Sequence, residues 1–187
     1  MKIVLTGGPH SGKTTLLAEL GARGYPTVPE AAIGIIDELV AELGTEGARE
    51  WRRGHVPEFQ ERIAHRQLEL EHLGRGAGNA TCFCDRGLVD GLAYLRLAGV
   101  EPPGFLLEAV QRSRYDAVVL CDICLPFKTR EQTGRTSSLE RAREIEARLV
   151  ACYVELGYAP LRLPAIAPVQ ARADLLLERL ALPPRRP

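Results

Sequence analysis

Near its N-terminus the chain reads Ile3-Val4-Leu5-Thr6, then Gly7-Gly8-Pro9-His10-Ser11-Gly12-Lys13-Thr14, then a helix-forming run over 15–20. The eight residues from Gly7 fit the pattern G-x-x-x-x-G-K-T. Glycines there allow the main chain to curl so that successive N–H groups and a helix N-terminus face one anion. Lys13 can reach the outer phosphates and the Thr14 hydroxyl can bind Mg²⁺. A plain strand–turn–helix does not require that Lys-Thr pair, so the sequence predicts a nucleoside triphosphate site. The residues expected to contact the nucleotide are Gly8, Pro9, His10, Ser11, Gly12, Lys13, Thr14 and Thr15.

Strand-like and helical patterns alternate along the rest of the chain. The later strands are predicted at 26–30, 81–85, 117–122 and 159–163, and the helices at 32–43, 57–73, 89–98, 105–112, from a Ser137-x-x-Glu140 capping box onward, and at 169–180. The polar segment 44–56 is interpreted as irregular. Strands that are apolar throughout and alternate with helices indicate a parallel sheet covered on both faces. The sequence therefore predicts a single α/β domain over residues 1–181, with five parallel strands in the order 2-3-1-4-5 and a flexible tail at 182–187.

Composition narrows the class of protein. The 187 residues are 45% hydrophobic and 26% charged, which suits one globular core. The formal net charge is zero, which argues against nucleic acid or a membrane surface as partner, since both usually require a basic excess. No segment reaches the length of a membrane-spanning helix, and the N-terminal apolar run is too short for a signal peptide. We therefore expect a cytoplasmic protein.

Five cysteines also bear on the compartment, because an odd count suits a reducing environment. Cys82 with Cys84, and Cys121 with Cys124, have spacings that suggest zinc ligands. Both pairs lie in or at the end of apolar strand-like runs and have no histidine at ligand spacing. We interpret them as small buried hydrophobic residues.

Ligands of open parallel sheets gather at the carboxyl ends of the strands. Asp85-Arg86 ends the third strand, where the carboxylate could hold Mg²⁺ or accept a proton, and the guanidinium could clamp a phosphate. The alternative is that the two side chains pair with each other at the surface. Glu30 ends the second strand and could contact an acceptor hydroxyl as base or ribose anchor, or could only cap the next helix. Thr14 and Asp85 are the predicted metal ligands, and Lys13, Asp85 and Arg86 are catalytic candidates.

An arginine-rich segment over about 126–138 is predicted to be a lid that closes over the phosphates. Closure excludes water, which a kinase requires if its acceptor is to be favoured over hydrolysis. Arg141 and Arg143 alternate with glutamates and are explained more simply as helical ion pairs. Arg130 and Arg135 precede that helix and are the remaining catalytic candidates.

Two glutamines, Gln60 and Gln67, share one face of the predicted helix 57–73. Their amides could bind the base or an amide group of an acceptor, although glutamines on a helix more often face solvent. With Glu30 they are the candidate acceptor contacts. Trp51 and Tyr94 could stack on a ring, although a lone aromatic residue more often belongs to a core.

Several classes of triphosphate-binding protein are disfavoured by missing motifs. The only asparagine, Asn79, is followed by Ala80, so no guanine-reading Asn-Lys-x-Asp element is present. Neither Asp85 nor Asp122 is followed by the glutamate with which motor-type ATPases polarise water. The pattern favours a small phosphoryl-transfer kinase. A nucleotide-gated switch protein and a slow NTPase remain the alternatives.

Short motifs along almost the whole chain point the same way. They are Gly-Gly-Pro-x-Ser-Gly-Lys-Thr-Thr-Leu (7–16), Val-Pro-Glu-Ala-Ala (28–32), Phe-Gln (59–60) with Gln67, Cys-Asp-Arg-Gly-x-x-Asp-Gly-x-Ala-Tyr (84–94), Thr-Gly-Arg (133–135), Tyr-x-Glu-Leu-Gly-Tyr (153–158) and Arg-x-x-x-Leu-Leu (172–177). Together they resemble the AAA-type P-loop domain of the bacterial nicotinamide riboside kinase family and the wider nucleoside and nucleotide kinase group. The chain departs from many relatives at Thr133, where they have Asp, and at Ile33, where they often have a nearby Arg.

The resemblance implies ATP and Mg²⁺ at Lys13 and Thr14, and metal binding or proton transfer by Asp85 with a phosphate clamp at Arg86. It also implies an acceptor contact at Glu30 and a lid formed by Arg130 and Arg135. We therefore expect transfer of the γ-phosphoryl group of ATP to a hydroxyl of a small nucleoside-like acceptor. The identity of that acceptor, the choice between ATP and GTP, and the choice between Asp85 and Glu30 as base stay open.

Overall fold

In the computed structural model, residues 1–74, 81–126 and 138–183 are described. Their strands are β1 (Lys2–Thr6), β2 (Thr27–Val28), β3 (Cys82–Asp85), β4 (Ala117–Cys121) and β5 (Leu161–Leu163). All neighbouring pairs are parallel, in the order β2-β3-β1-β4-β5, so the predicted topology is confirmed. Because β1 is central, the loop that follows it lies between the ends of β3 and β4. The second strand is separated from that loop by β3.

Helices cover both faces of the sheet, as predicted. They are α1 (Lys13–Ala22), α2 (Ala31–Gly54), α3 (Val56–Gly74), α4 (Leu88–Ala98), α5 (Gly104–Arg112), α6 (Leu139–Glu155) and α7 (Val169–Arg179). Side chains alternate between the two faces of a strand. Ile3 and Leu5 therefore pack with α1 and α7, whereas Val4 packs with α4, α5 and α6. Among the described residues, no helix combines the length and the apolar character needed to cross a membrane.

The prediction of an irregular segment at 44–56 was wrong. Helix α2 continues to Gly54, and only Gly44 leaves helical geometry, with φ 71° and ψ 171°. Beyond that kink Ala48 is buried against Ile35 and Leu39, and Trp51 packs on the same cluster. Few apolar residues were enough because they are spaced to face α3.

The predicted start of α6 also requires correction. The helix begins at Leu139 and its N-cap is Ser138, whose Oγ accepts a hydrogen bond from Arg141 N at 3.1 Å. Ser137 and the arginines of the predicted lid, Arg130 and Arg135, lie outside the described residues, as do 184–187 of the predicted tail. The remaining helix and strand boundaries agree with the predictions to within two residues.

Four of the five cysteines lie in the apolar core, as interpreted, and Cys124 does not. Cys82, Cys84, Cys121 and Cys152 are buried in the two clusters that flank the sheet. Cys124 is half-buried beside the glycine-rich loop.

Candidate functional site

The glycine-rich loop between β1 and α1 is held in a conformation that favours glycine at two positions. Gly7 and Gly12 have φ of 141° and 71°, a region that disfavours a Cβ atom. A Cβ at Gly7 would lie 2.5 Å from the Cys121 carbonyl oxygen, and one at Gly8 would lie 2.7 Å from the Ala142 carbonyl oxygen. The loop therefore fits closely between β4 and α6, with its curl directed at the start of α1.

Side chains and main chain from later elements hold this loop in place. The Arg172 side chain of α7 is buried, and its Nη1 donates to the Ser11 carbonyl at 2.6 Å. Its Nη2 donates to the Leu163 carbonyl at 3.3 Å, which ties the loop to β5. On the other side, Cys124 N donates to the His10 carbonyl at 2.9 Å. Arg172 belongs to the 172–177 motif, but the sequence did not indicate a role for it, because its contacts are with residues distant along the chain.

Lys13 is buried beneath the loop. Its Nζ donates to the carbonyls of Gly7 and Gly8, at 2.9 and 3.1 Å, and to Ser11 Oγ at 2.9 Å. Burial lowers the pKa of Lys13 from 10.5 to about 8, and the neighbouring Arg86 acts in the same direction. The ammonium group is thus enclosed with too little negative charge around it, and an anion in the loop would stabilise it.

Asp85 and Thr14 meet at the end of β3. Thr14 Oγ1 donates to Asp85 Oδ2 at 2.9 Å, and the other carboxylate oxygen, Oδ1, is buried with no hydrogen-bond partner among the described residues. Burial raises the pKa of Asp85, although the nearby Lys13 opposes the shift. A hydroxyl and a carboxylate are hard oxygen ligands of the kind that Mg²⁺ prefers. The unsatisfied oxygen therefore fits a bound metal ion or its water.

Arg86 adopts a positive φ of 71°, which costs a non-glycine residue about 1–2 kcal/mol. Its Nε donates to Glu30 Oε1 and its Nη1 to Asp90 Oδ1, both at 3.0 Å. Burial alone would lower the pKa of Arg86, but Tyr94, Glu30 and Asp90 raise it well above its ordinary value. Arg86 is therefore a fixed cation, and the alternative of a surface Asp85–Arg86 pair is wrong.

Asp90 of α4 was missed as a site residue, although it stands within the 84–94 motif. It is 3% exposed. Its Oδ1 accepts from Thr6 Oγ1 at 2.9 Å as well as from Arg86, and its Oδ2 accepts from Tyr153 OH at 2.7 Å and Gly87 N at 3.2 Å. With four donors its charge is fully compensated. Asp90 anchors the Arg86 guanidinium between β1, α4 and α6.

A cavity of about 250 Å³ adjoins the Arg86 turn and reaches the glycine-rich loop at Pro9. Glu30, Arg86 and Asp90 line its polar part, and apolar side chains including Ile36 and Phe59 line the rest. Glu30 occupies the N-cap position of α2, but its carboxylate makes no cap hydrogen bond. Its ion pair with Arg86, and its place in the cavity wall, are not explained by a capping role alone.

Both candidate glutamines line this cavity and are buried, so they do not face solvent. The Gln67 amide nitrogen donates to Glu71 Oε1 at 3.0 Å and to the Arg86 carbonyl at 3.3 Å. Of the two aromatic candidates, only Tyr94 lies at the cavity. Tyr94 lines the cavity with its ring centroid 5.4 Å from the Arg86 guanidinium, whereas Trp51 stacks on His55 outside it.

Comparison with known proteins places the chain in a family. A family model described as an AAA domain matches residues 2–172, which is most of the chain. The chain belongs to this AAA domain family. The resemblance to an AAA-type P-loop domain is therefore confirmed. No curated protein matches this AAA domain.

Solved structures similar to this AAA domain include nucleoside and nucleotide kinases. Deoxyadenosine kinase from M. mycoides, with the products dCMP and a flexible dCDP bound, has 15% identity and a TM-score of 0.63 over 97% of this chain and 99% of its own. NadR in complex with NR has 16% identity and a TM-score of 0.64 over 100% of this chain and 51% of its own, so the AAA domain spans about half of NadR. Thymidylate kinase from Candida albicans has 14% identity and a TM-score of 0.57 over 96% of this chain and 90% of its own. These likenesses confirm a P-loop kinase-like fold.

Proposed function

We propose that this AAA domain is a kinase that transfers the γ-phosphoryl group of ATP to a hydroxyl of a small nucleoside-like acceptor. One observation carries the proposal, namely that a second site adjoins the glycine-rich loop. Thr14 meets Asp85 at the end of β3, and a partly apolar cavity with a carboxylate and a guanidinium in its wall reaches the glycine-rich loop at Pro9. A switch protein or a simple NTPase requires only the first site. Among the fold neighbours, the structure of deoxyadenosine kinase contains dCMP and that of NadR contains NR, which supports a nucleoside-like acceptor.

On the nucleotide side, we propose that the triphosphate follows the loop from Gly8 to Thr15, with the Lys13 ammonium on the outer phosphates. Phosphate charge would then compensate the buried cation, whose pKa burial lowers to about 8. Thr14 and Asp85 would hold Mg²⁺, which when bound neutralises charge on the phosphates. Asp85 Oδ1, which has no hydrogen-bond partner in the part of the chain that the structure describes, supports this assignment.

On the acceptor side, Glu30 is the better candidate for the base, because it lines the cavity whereas Asp85 is directed at Thr14. We propose that Glu30 takes the proton of the acceptor hydroxyl. The hydroxyl oxygen then bonds to the γ-phosphorus of ATP, while the bond from the γ-phosphorus to the β-phosphate oxygen breaks and releases ADP. Arg86, which contacts Glu30 at 3.0 Å, would stabilise charge on the transferring group. Gln60 and Gln67 would contact the rest of the acceptor, and Arg130 and Arg135 would complete the site from the lid.

The test is ADP release with ATP and Mg²⁺ alone, compared with the same reaction plus each member of a panel of nucleosides and nucleotides. Strong stimulation by one member supports the kinase. Equal slow release with every member indicates an NTPase, and nucleotide binding without release indicates a switch.

Two variants sharpen this assay. Asp85→Asn should suppress stimulated release. Asp122→Asn is the matched control, because Asp122 follows β4 as Asp85 ends β3, yet it pairs with Arg162 at 2.7 Å and does not line the cavity. Equal rates in both variants would contradict the assigned role of Asp85.

A further inference from the structure

A buried polar cluster lies behind the turn that carries Asp85 and Arg86. It consists of Lys2, Gln67, Glu71 and Tyr115, and we call it the Glu71 cluster. Lys2 Nζ donates to Glu71 Oε2 at 2.6 Å, while Glu71 Oε1 accepts from Gln67 Nε2 at 3.0 Å and from Tyr115 OH at 2.8 Å. All four residues are buried, and three of them, Lys2, Glu71 and Tyr115, are absent from the cavity wall. Of the four, Gln67 alone reaches the acceptor cavity, and the other three lie behind the turn.

Two members of the Glu71 cluster bond to the main chain of the turn. Gln67 Nε2 donates to the Arg86 carbonyl at 3.3 Å, and Tyr115 OH accepts from Leu88 N at 2.9 Å. A Cβ at Gly87 would lie 2.8 Å from the Tyr115 hydroxyl, so the turn is packed directly on that side chain. Arg86 holds a positive φ at this point, and such a conformation persists only where surrounding contacts determine it.

Stability alone does not explain this cluster. A buried lysine–glutamate pair often contributes no more to stability than apolar side chains of the same volume. Here both carboxylate oxygens of Glu71 accept hydrogen bonds, and Oε1 orients Gln67 and Tyr115, the two side chains that also bond to the turn. Burial, and then the charge of Glu71, raise the pKa of Tyr115 well above its ordinary value. Its hydroxyl therefore keeps the proton that it donates to Glu71 while accepting from Leu88.

We propose that Glu71, Gln67 and Tyr115 are positioning residues of the phosphoryl-transfer site, a role that rests on the proposed function. They fix the turn in the conformation that directs Asp85 to Thr14 and the Arg86 side chain to Glu30. The Gln67 amide nitrogen thus acts on the reaction through the Arg86 main chain. Lys2 compensates the charge of Glu71.

The experiment compares Tyr115→Phe with Tyr158→Phe in the full chain. Each variant loses one hydroxyl that accepts from a main-chain N–H, Leu88 N in the first case and Tyr115 N, at 3.2 Å, in the second. Only the first hydroxyl touches the turn. We expect Tyr115→Phe to lower kcat at least about tenfold with KM for ATP changed less than about twofold, because a small misplacement of reacting groups is costly. Amide exchange over residues 86–88 should become at least about tenfold faster. Tyr158→Phe should leave both measurements near the wild-type values.

The outcomes separate this proposal from the proposed function. The positioning role is overturned if amide exchange at the turn in Tyr115→Phe proceeds at the wild-type rate. It is also overturned if exchange is faster but kcat is unchanged, or if kcat falls equally in both tyrosine variants. If no acceptor stimulates the wild-type protein, the kinase proposal fails, while the exchange comparison still decides whether the cluster holds the turn. Should Tyr115→Phe not fold, Gln67→Leu removes the bond to the Arg86 carbonyl and is judged by amide exchange over residues 86–88 alone, because Gln67 also lines the acceptor cavity.

Discussion

Replacing Lys13 by methionine should make the ligand-free protein more stable at neutral pH. Burial lowers the pKa of Lys13 from 10.5 to about 8, so the folded state binds this proton less tightly than the unfolded chain does. At about 1.4 kcal/mol per pH unit, keeping the ammonium group charged at pH 7 costs about 3 kcal/mol of folding free energy. Methionine fills similar space without that cost. The three hydrogen bonds of Nζ offset part of it, so about 3 kcal/mol is the upper limit of the gain.

The pH dependence of the unfolding free energy tests this reasoning better than its absolute value at one pH. As pH rises through about 8, folded Lys13 loses its proton while the unfolded residue keeps it until about 10.5. Stability contributed by this group is therefore low at pH 7 and increases with pH, by about 1 kcal/mol between pH 7 and 9. Above that window Cys121, whose pKa burial raises to about 11, acts in the opposite direction.

Urea unfolding at pH 7, 8 and 9 tests this reasoning on the wild type, Lys13→Met and Lys13→Arg. The wild type should gain stability relative to Lys13→Met as pH rises, so the difference in unfolding free energy between the two should narrow from pH 7 to pH 9. Lys13→Arg keeps its charge throughout and should show no narrowing. Calorimetry of ATP–Mg²⁺ binding at pH 8.5 in two buffers that differ in ionisation enthalpy should report proton uptake, because phosphate restores the ammonium. A constant gap between wild type and Lys13→Met from pH 7 to 9 would refute the argument.

Three further substitutions have distinct expected results. Asp85→Asn should lower the transfer rate at least about 100-fold, and an unchanged rate would exclude Asp85 from the mechanism. Because burial raises the pKa of Asp85, its ionised form destabilises the folded protein at pH 7, so the same variant should raise the melting temperature of the ligand-free protein. Glu30→Gln should lower kcat while calorimetry finds ATP affinity within about twofold of wild type; a loss confined to ATP binding would contradict its acceptor-side role. Gly7→Ala should lower the free energy of urea unfolding by at least about 2 kcal/mol, because its Cβ would lie 2.5 Å from a carbonyl oxygen. Gly104→Ala, with open space around the new Cβ, should change that free energy by less than about 1 kcal/mol. Similar losses in both variants would contradict the close fit of the loop.

The fold was predictable because its signals are local. The glycine-rich loop between an apolar run and a helix defines β1 and α1, and alternating patterns place the later elements in a parallel sheet. The failure at 44–56 has a physical cause, since Ala48 and Trp51 suffice to bury one face of a segment that is otherwise polar. Tertiary packing there overrides a composition that favours a loop.

The site was predictable only in part. Lys13, Thr14 and Asp85 follow from motif and strand-end position, and the structure brings them together. The roles of Glu71 and Arg172 depend on partners far away in sequence, and spacing along the chain carries no signal for such contacts. The positive φ of Arg86 is equally hidden, because arginine gives no local indication of a left-handed conformation.

Two carboxylates near the end of β3 show how the structure distinguishes what sequence could not. Asp90 accepts hydrogen bonds from four donors, so its charge is compensated by the fold itself. Asp85 accepts one, from Thr14, and leaves a buried oxygen unpartnered within the described residues, at a cost of about 1–3 kcal/mol. Lys13 is the matching case among the cations, since burial lowers its pKa while that of the well-paired Arg86 is raised. Asp85 and Lys13, whose charges the described residues compensate only in part, lie beside and beneath the glycine-rich loop, which supports the proposed metal–phosphate site.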